Sequence, residues 1–316
     1  GRKLTERLLG DGRLGNGDIT RLTLQDVVAP ATSAKAGFPI DTVTGDFAVA
    51  GFAEKLVADR PDVIFHLAAI VSGEAELDFD KGYRINLDGT RMLLDAIRLA
   101  GGGYKPRLVF TSSIAVFGAP FPDAIGDEFF QTPLLSYGTQ KAIGELLLAD
   151  YTRRGFMDGI GIRLPTICIR PGLPNKAASG FFSNILREPL AGKEVVLPVS
   201  EDVRHWYATP RSAVGFLLHA ATIDSAAVGA RRNLTMPGLS ATVGEEIAAL
   251  KRVAGDKVAG RIKREPDPFI MGIVDGWPRN FDAKRALKLG FTTAEKTFDD
   301  IIKIHIEDEL GGKFVV

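Results

Sequence analysis

A tyrosine, a lysine and a serine in this sequence have the types and spacing for acid–base work on an alcohol. Tyr137 and Lys141 stand at i and i+4 in a segment whose pattern predicts a helix, so they share one face. A free tyrosine titrates near pH ~10 and is a poor base at neutral pH. A nearby ammonium favours the phenolate and lowers that pKa. The phenolate can then take an alcohol proton while hydride leaves the adjacent carbon. Ser113, at the end of an apolar run, can hydrogen-bond the same oxygen. A tyrosine and a lysine at this spacing also occur on solvated helix faces, so the pair gains meaning only from its company.

The elements that must position these residues alternate in type. Ile19–Leu24 predicts a strand ending before Asp26, and Phe52–Asp59 a helix. Val63–Leu67 predicts a buried strand, and Tyr83–Ala100 a helix stopped by Gly101-Gly102-Gly103. Leu108–Phe110 predicts a strand entering Thr111-Ser112-Ser113. Ser136–Tyr151 then predicts a long helix and Gly161–Ile169 another strand. Apolar strands alternating with helices argue for an α/β protein with a parallel sheet covered on both faces. Ligands bind beyond the carboxyl ends of such strands, where Ser113 falls. After Pro171 the pattern breaks into short elements around Phe181–Leu186, Val195–Leu197, Ser212–Ala221 and Val243–Val253, with a Pro-, Asp- and Gly-rich stretch at Pro266–Pro278. The chain opens directly on an amphipathic helix, Gly1–Leu9, so a first strand and its glycine turn are expected upstream of Gly1.

The totals exclude several classes. In 316 residues, Lys+Arg 39 balances Asp+Glu 39, so no global basic field draws nucleic acid or anionic lipid. The lone cysteine, Cys168, allows no intrachain disulfide, and its run Ile167-Cys168-Ile169 reads as core. No apolar stretch approaches the ~18 residues of a membrane span, and no signal peptide is visible, so a cytoplasmic protein is expected. The four histidines have no metal-ligand spacing, and no metal is expected. His66 reads as a packed strand-end residue.

Five motifs then occur in order along nearly the whole chain. They are His66-Leu67-Ala68-Ala69, Asn86-Leu87-Asp88-Gly89-Thr90, Ser112–Gly118 (S-S-x-x-V-F-G), Tyr137–Lys141 (Y-x-x-x-K), and Asp282–Phe291, which ends in Leu289-Gly290-Phe291. In these the sequence resembles the extended short-chain dehydrogenase/reductase family, which includes NAD-dependent epimerases and dehydratases. The resemblance implies an α/β fold, a Rossmann-like doubly wound parallel sheet with a smaller C-terminal substrate lobe. Residues 1–170 would form the NAD-binding domain and 171–316 mainly the substrate lobe, with about 203–235 returning to the first domain. It implies that Ser113 is the catalytic Ser/Thr, Tyr137 the base and Lys141 the lysine that holds the nicotinamide ribose. It further implies that Asn86 supports Lys141 through water, and that two copies pair through the helices carrying Asn86 and Tyr137.

The expected cofactor is NAD. The family's glycine turn binds pyrophosphate through amides at a helix N-terminus, and Gly1 would be its last glycine. Asp26 follows the second strand, where an acid accepts from the adenosine ribose and repels a 2′-phosphate. Asp46 would contact adenine, by resemblance, or cap a helix ahead of Phe47. Leu67, Ala68, Ala69 and Pro165 complete the expected cofactor set, with Asn86, Tyr137 and Lys141.

The substrate set is less direct. The family's nucleotide-sugar enzymes tend to carry Asn where Thr166 stands, and its dehydratases carry Asp-Glu where Ile114 and Ala115 stand. Neither Ile nor Ala moves a proton, which argues against dehydration. Ser72 and Gly73 can cup a carboxylate or hydroxyl. Arg170-Pro171-Gly172, Asn175 and Ser179 open the second lobe, and Arg204 follows. Arginine grips a planar carboxylate with two parallel bonds, and a phosphate as readily. The expected substrate set is Ser72, Gly73, Ser113, Tyr137, Thr166, Asn175, Ser179 and Arg204; which arginine takes a carboxylate stays open. The loops Ala68–Glu76 and Leu164–Phe182 resemble a group within the family that oxidises the C2 hydroxyl of a four-carbon sugar acid with NAD. The alternatives are a nucleotide-sugar 4-epimerase, a non-catalytic NAD-binding regulator and a structural scaffold.

Overall fold

The computed structural model describes residues 1–31, 36–172 and 179–316. Four strands form a parallel sheet in the order Asn233–Thr235, Asp158–Leu164, Arg107–Ser113, Val63–His66. Leu22–Asp26 and Ile40–Thr44 form a second parallel pair. Along the Arg107–Ser113 strand the side chains alternate between two cores, as a period of two requires. Leu108 and Phe110 join the cluster of Leu93, Leu94, Ile97 and Leu148, whereas Val109 joins that of Phe216, Leu217 and Leu234. Helices therefore cover both faces: Thr90–Leu99 and Ser136–Arg153 on one, Pro210–Thr222 on the other. This is the doubly wound α/β architecture. A third core gathers Phe182, Ile185, Leu186, Leu250, Ile301 and Ile302. Phe216, Leu234 and Phe291, late in the chain, pack with Val109 and Ile160 of the sheet.

The strand expected at Ile19–Leu24 runs over Leu22–Asp26 and so includes Asp26, and three further elements differ from the sequence pattern. The run predicted as one strand, Gly161–Ile169, is two. The first begins earlier, at Asp158, and ends at Leu164; Pro165 has no N–H to donate. Thr166–Ile167 then pairs with Arg204–Ala208 in a separate sheet completed by Leu239–Thr242. The predicted Tyr83–Ala100 helix is a π-helix over Tyr83–Gly89 followed by an α-helix over Thr90–Leu99. Hydrophobic spacing cannot separate these two windings over one turn. The Pro- and Gly-rich stretch near the end contains a helix, Pro268–Asp275, with Asp267 accepting from the amides of Phe269 and Ile270, and Pro268 at its first position.

Candidate active site

The Arg107–Ser113 strand ends in a tight turn at Ile114–Val116, whose Ala115 amide donates to the Ser113 hydroxyl at 3.1 Å. The Ser136–Arg153 helix starts directly on this turn. A Cβ at Gly138 would lie 2.1 Å from the Ala115 carbonyl oxygen, so only glycine allows the approach. Tyr137, Lys141 and Glu145 follow one face of that helix at i, i+4 and i+8. Glu145, 1% exposed, anchors this face to the sheet. It accepts from Arg163 Nη2 at 2.8 Å and Nε at 2.9 Å, and from Ser112 Oγ at 2.5 Å. The two-pronged Arg163–Glu145 pair fixes both angle and distance.

Electrostatics at the tyrosine differ from the sequence expectation. Burial pushes Tyr137 up to about 12, and a hydrogen bond with Ser113 and the charge of Arg170 oppose it. The Lys141 ammonium is turned toward the strand, donating to the Thr111 carbonyl at 2.8 Å, and lies 5.7 Å from the Tyr137 ring centre. Burial lowers Lys141 to about 8, with Glu145 opposing. The groups that act downward on the phenol in this structure are thus Ser113 and Arg170.

A cavity of about 680 Å³ opens beyond the strand ends. Of the expected residues, Gly1, Leu67, Ala69, Ser72, Ser113, Tyr137, Lys141, Pro165, Thr166 and Ser179 line it. Asn175 lies outside the described residues. Asp26 ends its strand and is exposed. Ala68 and Gly73 neighbour lining residues without lining the cavity themselves. Asp46 heads a turn, not a helix: it accepts from the Ala48 amide at 2.9 Å and from Arg84 at 2.6 Å, and the next helix starts at Phe52. Burial raises its pKa, but those two bonds outweigh it and hold the carboxyl below its usual range.

The Asn86 side chain bonds directly to a loop and to the helix of Tyr137. It accepts from the Ile70 amide at 2.9 Å and donates to the Gln140 side chain at 2.8 Å and the Ile70 carbonyl at 3.2 Å. It therefore ties the loop after Val63–His66 to the helix of Tyr137. His66 is buried between Phe47 and Phe110, and its Nε2 meets Thr90 Oγ1 at 2.9 Å. Burial lowers it to about 3, which keeps it neutral. Cys168 is fully buried, and burial raises its thiol pKa.

Arg204, expected in the substrate set, does not line the cavity. It starts its strand and turns to the Ser240 carbonyl at 3.3 Å and to Glu245 at 3.3 Å, away from the cavity. Arg170 lines the cavity instead. The signal for it was position: Arg170 stands at the turn-rich exit Pro171-Gly172 from the first lobe, whereas Arg204 opens a strand.

The residues at the strand ends fit a dinucleotide. Gly1 precedes the Arg2–Asp11 helix, whose first-turn amides have no partner within the helix and point to where an anion can bind. Gly1, Arg2 and Lys3 all line the cavity. Among the described residues, no group of three or more His, Cys, Asp or Glu could hold a metal ion, and no helix is long and apolar enough to cross a membrane.

Residues 1–225 match the NAD dependent epimerase/dehydratase family. The chain belongs to that family. A D-erythronate dehydrogenase of Cupriavidus necator is 46% identical over 290 residues, covering 92% of this chain and 88% of its own. One of Haemophilus influenzae is 45% identical over 257 residues, covering 81% of each. The crystal structure of a protein named nucleoside-diphosphate-sugar epimerase, from Agrobacterium tumefaciens, superposes with a TM-score of 0.96 at 68% identity. It covers 99% of this chain and 92% of that one.

Proposed function

We propose that this protein is an NAD-linked dehydrogenase that oxidises the C2 hydroxyl of a small sugar acid, D-erythronate foremost, to the 2-oxo acid. The observation that carries this reading is the seating of Tyr137, Ser113 and Lys141 on one wall of a cavity at the strand ends, in a chain 45–46% identical to two D-erythronate dehydrogenases. When bound, the dinucleotide supplies the hydride acceptor. Tyr137 removes the hydroxyl proton, and Ser113 donates to the oxygen as it becomes a carbonyl. Lys141, fixed on Thr111, holds the ribose side of the site. Asp26 favours NAD over NADP, because a carboxylate repels a 2′-phosphate.

A second reading has its own support, since a structure at 68% identity carries the name of a nucleoside-diphosphate-sugar epimerase. Against it stand Thr166 at the sugar enzymes' Asn position and the place of Arg170 beside the base. The test is NADH formation with NAD and a panel of four- to six-carbon sugar acids. NADH from D-erythronate, with little reduction of NADP, supports the dehydrogenase. Silence with every acid, with turnover of UDP-sugars, would replace it by the epimerase. The same enzyme is proposed to pair with a second copy through the helices of Asn86 and Tyr137. Support comes from Leu99, on the helix that continues the Asn86 segment, and Leu146, on the Tyr137 helix, both more than half exposed; sedimentation tests it.

A further inference from the structure

In a 2-hydroxy acid the carboxylate is one bond from the reacting carbon. A cation next to the base of such an enzyme can therefore grip the substrate and place its reacting carbon. In a nucleotide sugar the anionic pyrophosphate is several bonds from the carbon that exchanges hydride, so a cation at the base has nothing to grip. The position of the cation near Tyr137 thus distinguishes two substrate chemistries.

Arg170 holds that position. It lines the cavity with Tyr137, Ser113 and Thr166, and its charge acts on the phenol. Its backbone is clamped: the amide donates to Ser183 Oγ at 3.1 Å, and its carbonyl accepts from Arg187 Nη1 at 2.8 Å. One side-chain nitrogen donates to Ser179 Oγ at 3.1 Å. No acid pairs with it among the described residues, and the ten residues outside them, 32–35 and 173–178, include no Asp or Glu. Two other arginines with little side-chain exposure differ: Arg187 pairs with Glu188 at 3.0 Å, and Arg163 with Glu145 at 2.8 Å. A half-buried guanidinium without a counter-charge has lost hydration that nothing replaces, so the site gains when an anion enters.

We infer that Arg170 is the carboxylate anchor of the substrate: its guanidinium, steadied by Ser179, grips the acid so that the C2 hydroxyl meets Tyr137 and Ser113. This inference rests on the sugar-acid reading and makes it specific. The cation selects against neutral polyols and against substrates whose anion lies far from the reacting carbon. It is a specificity-determining contact and moves no proton.

The test uses the full enzyme with NAD, comparing wild type, Arg170→Lys and Arg170→Gln on D-erythronate and on its neutral carboxamide. Arg170→Gln is expected to raise KM for the acid roughly 100-fold while barely changing KM for the amide, because two charge-assisted bonds are lost only for the anion. Arg170→Lys recovers part of the difference as a point charge. Dissolved guanidinium restores Arg170→Gln turnover of the acid, and NAD affinity stays unchanged. If Arg170→Gln fails to fold, oxalate decides in the wild type: competition against the acid supports the anchor, and its absence overturns it. An unchanged acid-to-amide preference in folded Arg170→Gln would overturn the anchor alone. Failure of the wild type to oxidise any sugar acid would overturn the functional reading, and the anchor with it.

Discussion

The Thr166 hydroxyl lies 2.7 Å from Nε2 of His205, whose Nδ1 faces the Pro278 carbonyl at 2.9 Å. A carbonyl only accepts, so Nδ1 carries the hydrogen. Burial lowers His205 to about 4, and the ring is neutral at physiological pH. Nε2 is then an acceptor, and Thr166 donates to it. The free lone pairs of Thr166 are left to the cavity, where they can take a hydrogen from a substrate hydroxyl. Thr166→Val is expected to raise KM for the acid about 10-fold, matching the ~1–1.5 kcal/mol of one hydrogen bond; Thr166→Ser keeps it. Steady-state kinetics check this. The loss stays constant between about pH 6 and 9, because a histidine held this low does not titrate there.

The chemical step should carry the signature of the phenol. Burial pushes Tyr137 up to about 12, and oxidation needs the phenolate, so kcat/KM for oxidation rises with pH through the neutral range. Ser113 opposes the upward shift. Ser113→Ala is therefore expected to move the rising limb to higher pH and lower kcat at pH 7. Tyr137→Phe removes the base and is expected to cost about 10²–10⁴-fold in kcat while NAD still binds. A pH–rate profile with an unmoved limb in Ser113→Ala would show that this hydroxyl does not act on the phenol.

Where local pattern decides structure, the sequence was legible. Leu108, Val109 and Phe110 are apolar in succession because both faces of their strand are covered; a strand with one solvated face would alternate instead. Gly101-Gly102-Gly103, all with positive φ, end the Thr90–Leu99 helix region as expected. The residues that line the cavity from strand ends, such as Ser113 and Thr166, follow from the same logic. What was not legible depends on where the chain goes after leaving the sheet. Pro165 diverts it into a second sheet, and that diversion decides that Arg170 rather than Arg204 faces the cavity. The partners of Asn86 also depend on packing: its segment winds as a π-helix, and its amide meets Ile70 and Gln140, far apart in sequence.

The Glu145–Arg163 pair is buried on both sides, with side chains 1% and 9% exposed. Removing one partner strands the other charge. Glu145→Ala is expected to cost about 3–5 kcal/mol of stability, as for other broken buried pairs. The paired change Glu145→Leu with Arg163→Leu should cost less than either single change, since neither charge remains. Urea unfolding of the three variants reads this coupling. Because Glu145 shares a helix face with Tyr137 and Lys141, the single variants should also lose activity at temperatures where they remain folded.

The approach of Gly138 to Ala115 makes the most localised prediction. A methyl group at Gly138 would sit 2.1 Å from a backbone oxygen, which cannot swing aside as a flexible side chain can. In Gly138→Ala the start of the helix must move off the turn that follows Ser113, and Tyr137, the preceding residue, moves with it. A displacement of about 1 Å at a reacting group costs on the order of 10²-fold in rate, whereas overpacking costs about 1–3 kcal/mol in stability. The expected result is thus a folded enzyme with kcat down about 100-fold and a smaller loss of cofactor affinity, since Gly1 and Asp26 lie on other elements and only Lys141 shares this helix. Gly10, helical with open space at its Cβ, is the control. Gly10→Ala should stabilise the protein by about 0.5–1 kcal/mol with no change in kcat. If Gly138→Ala matched that control in rate, the helix could yield without moving Tyr137, and the close approach would have no part in seating the base.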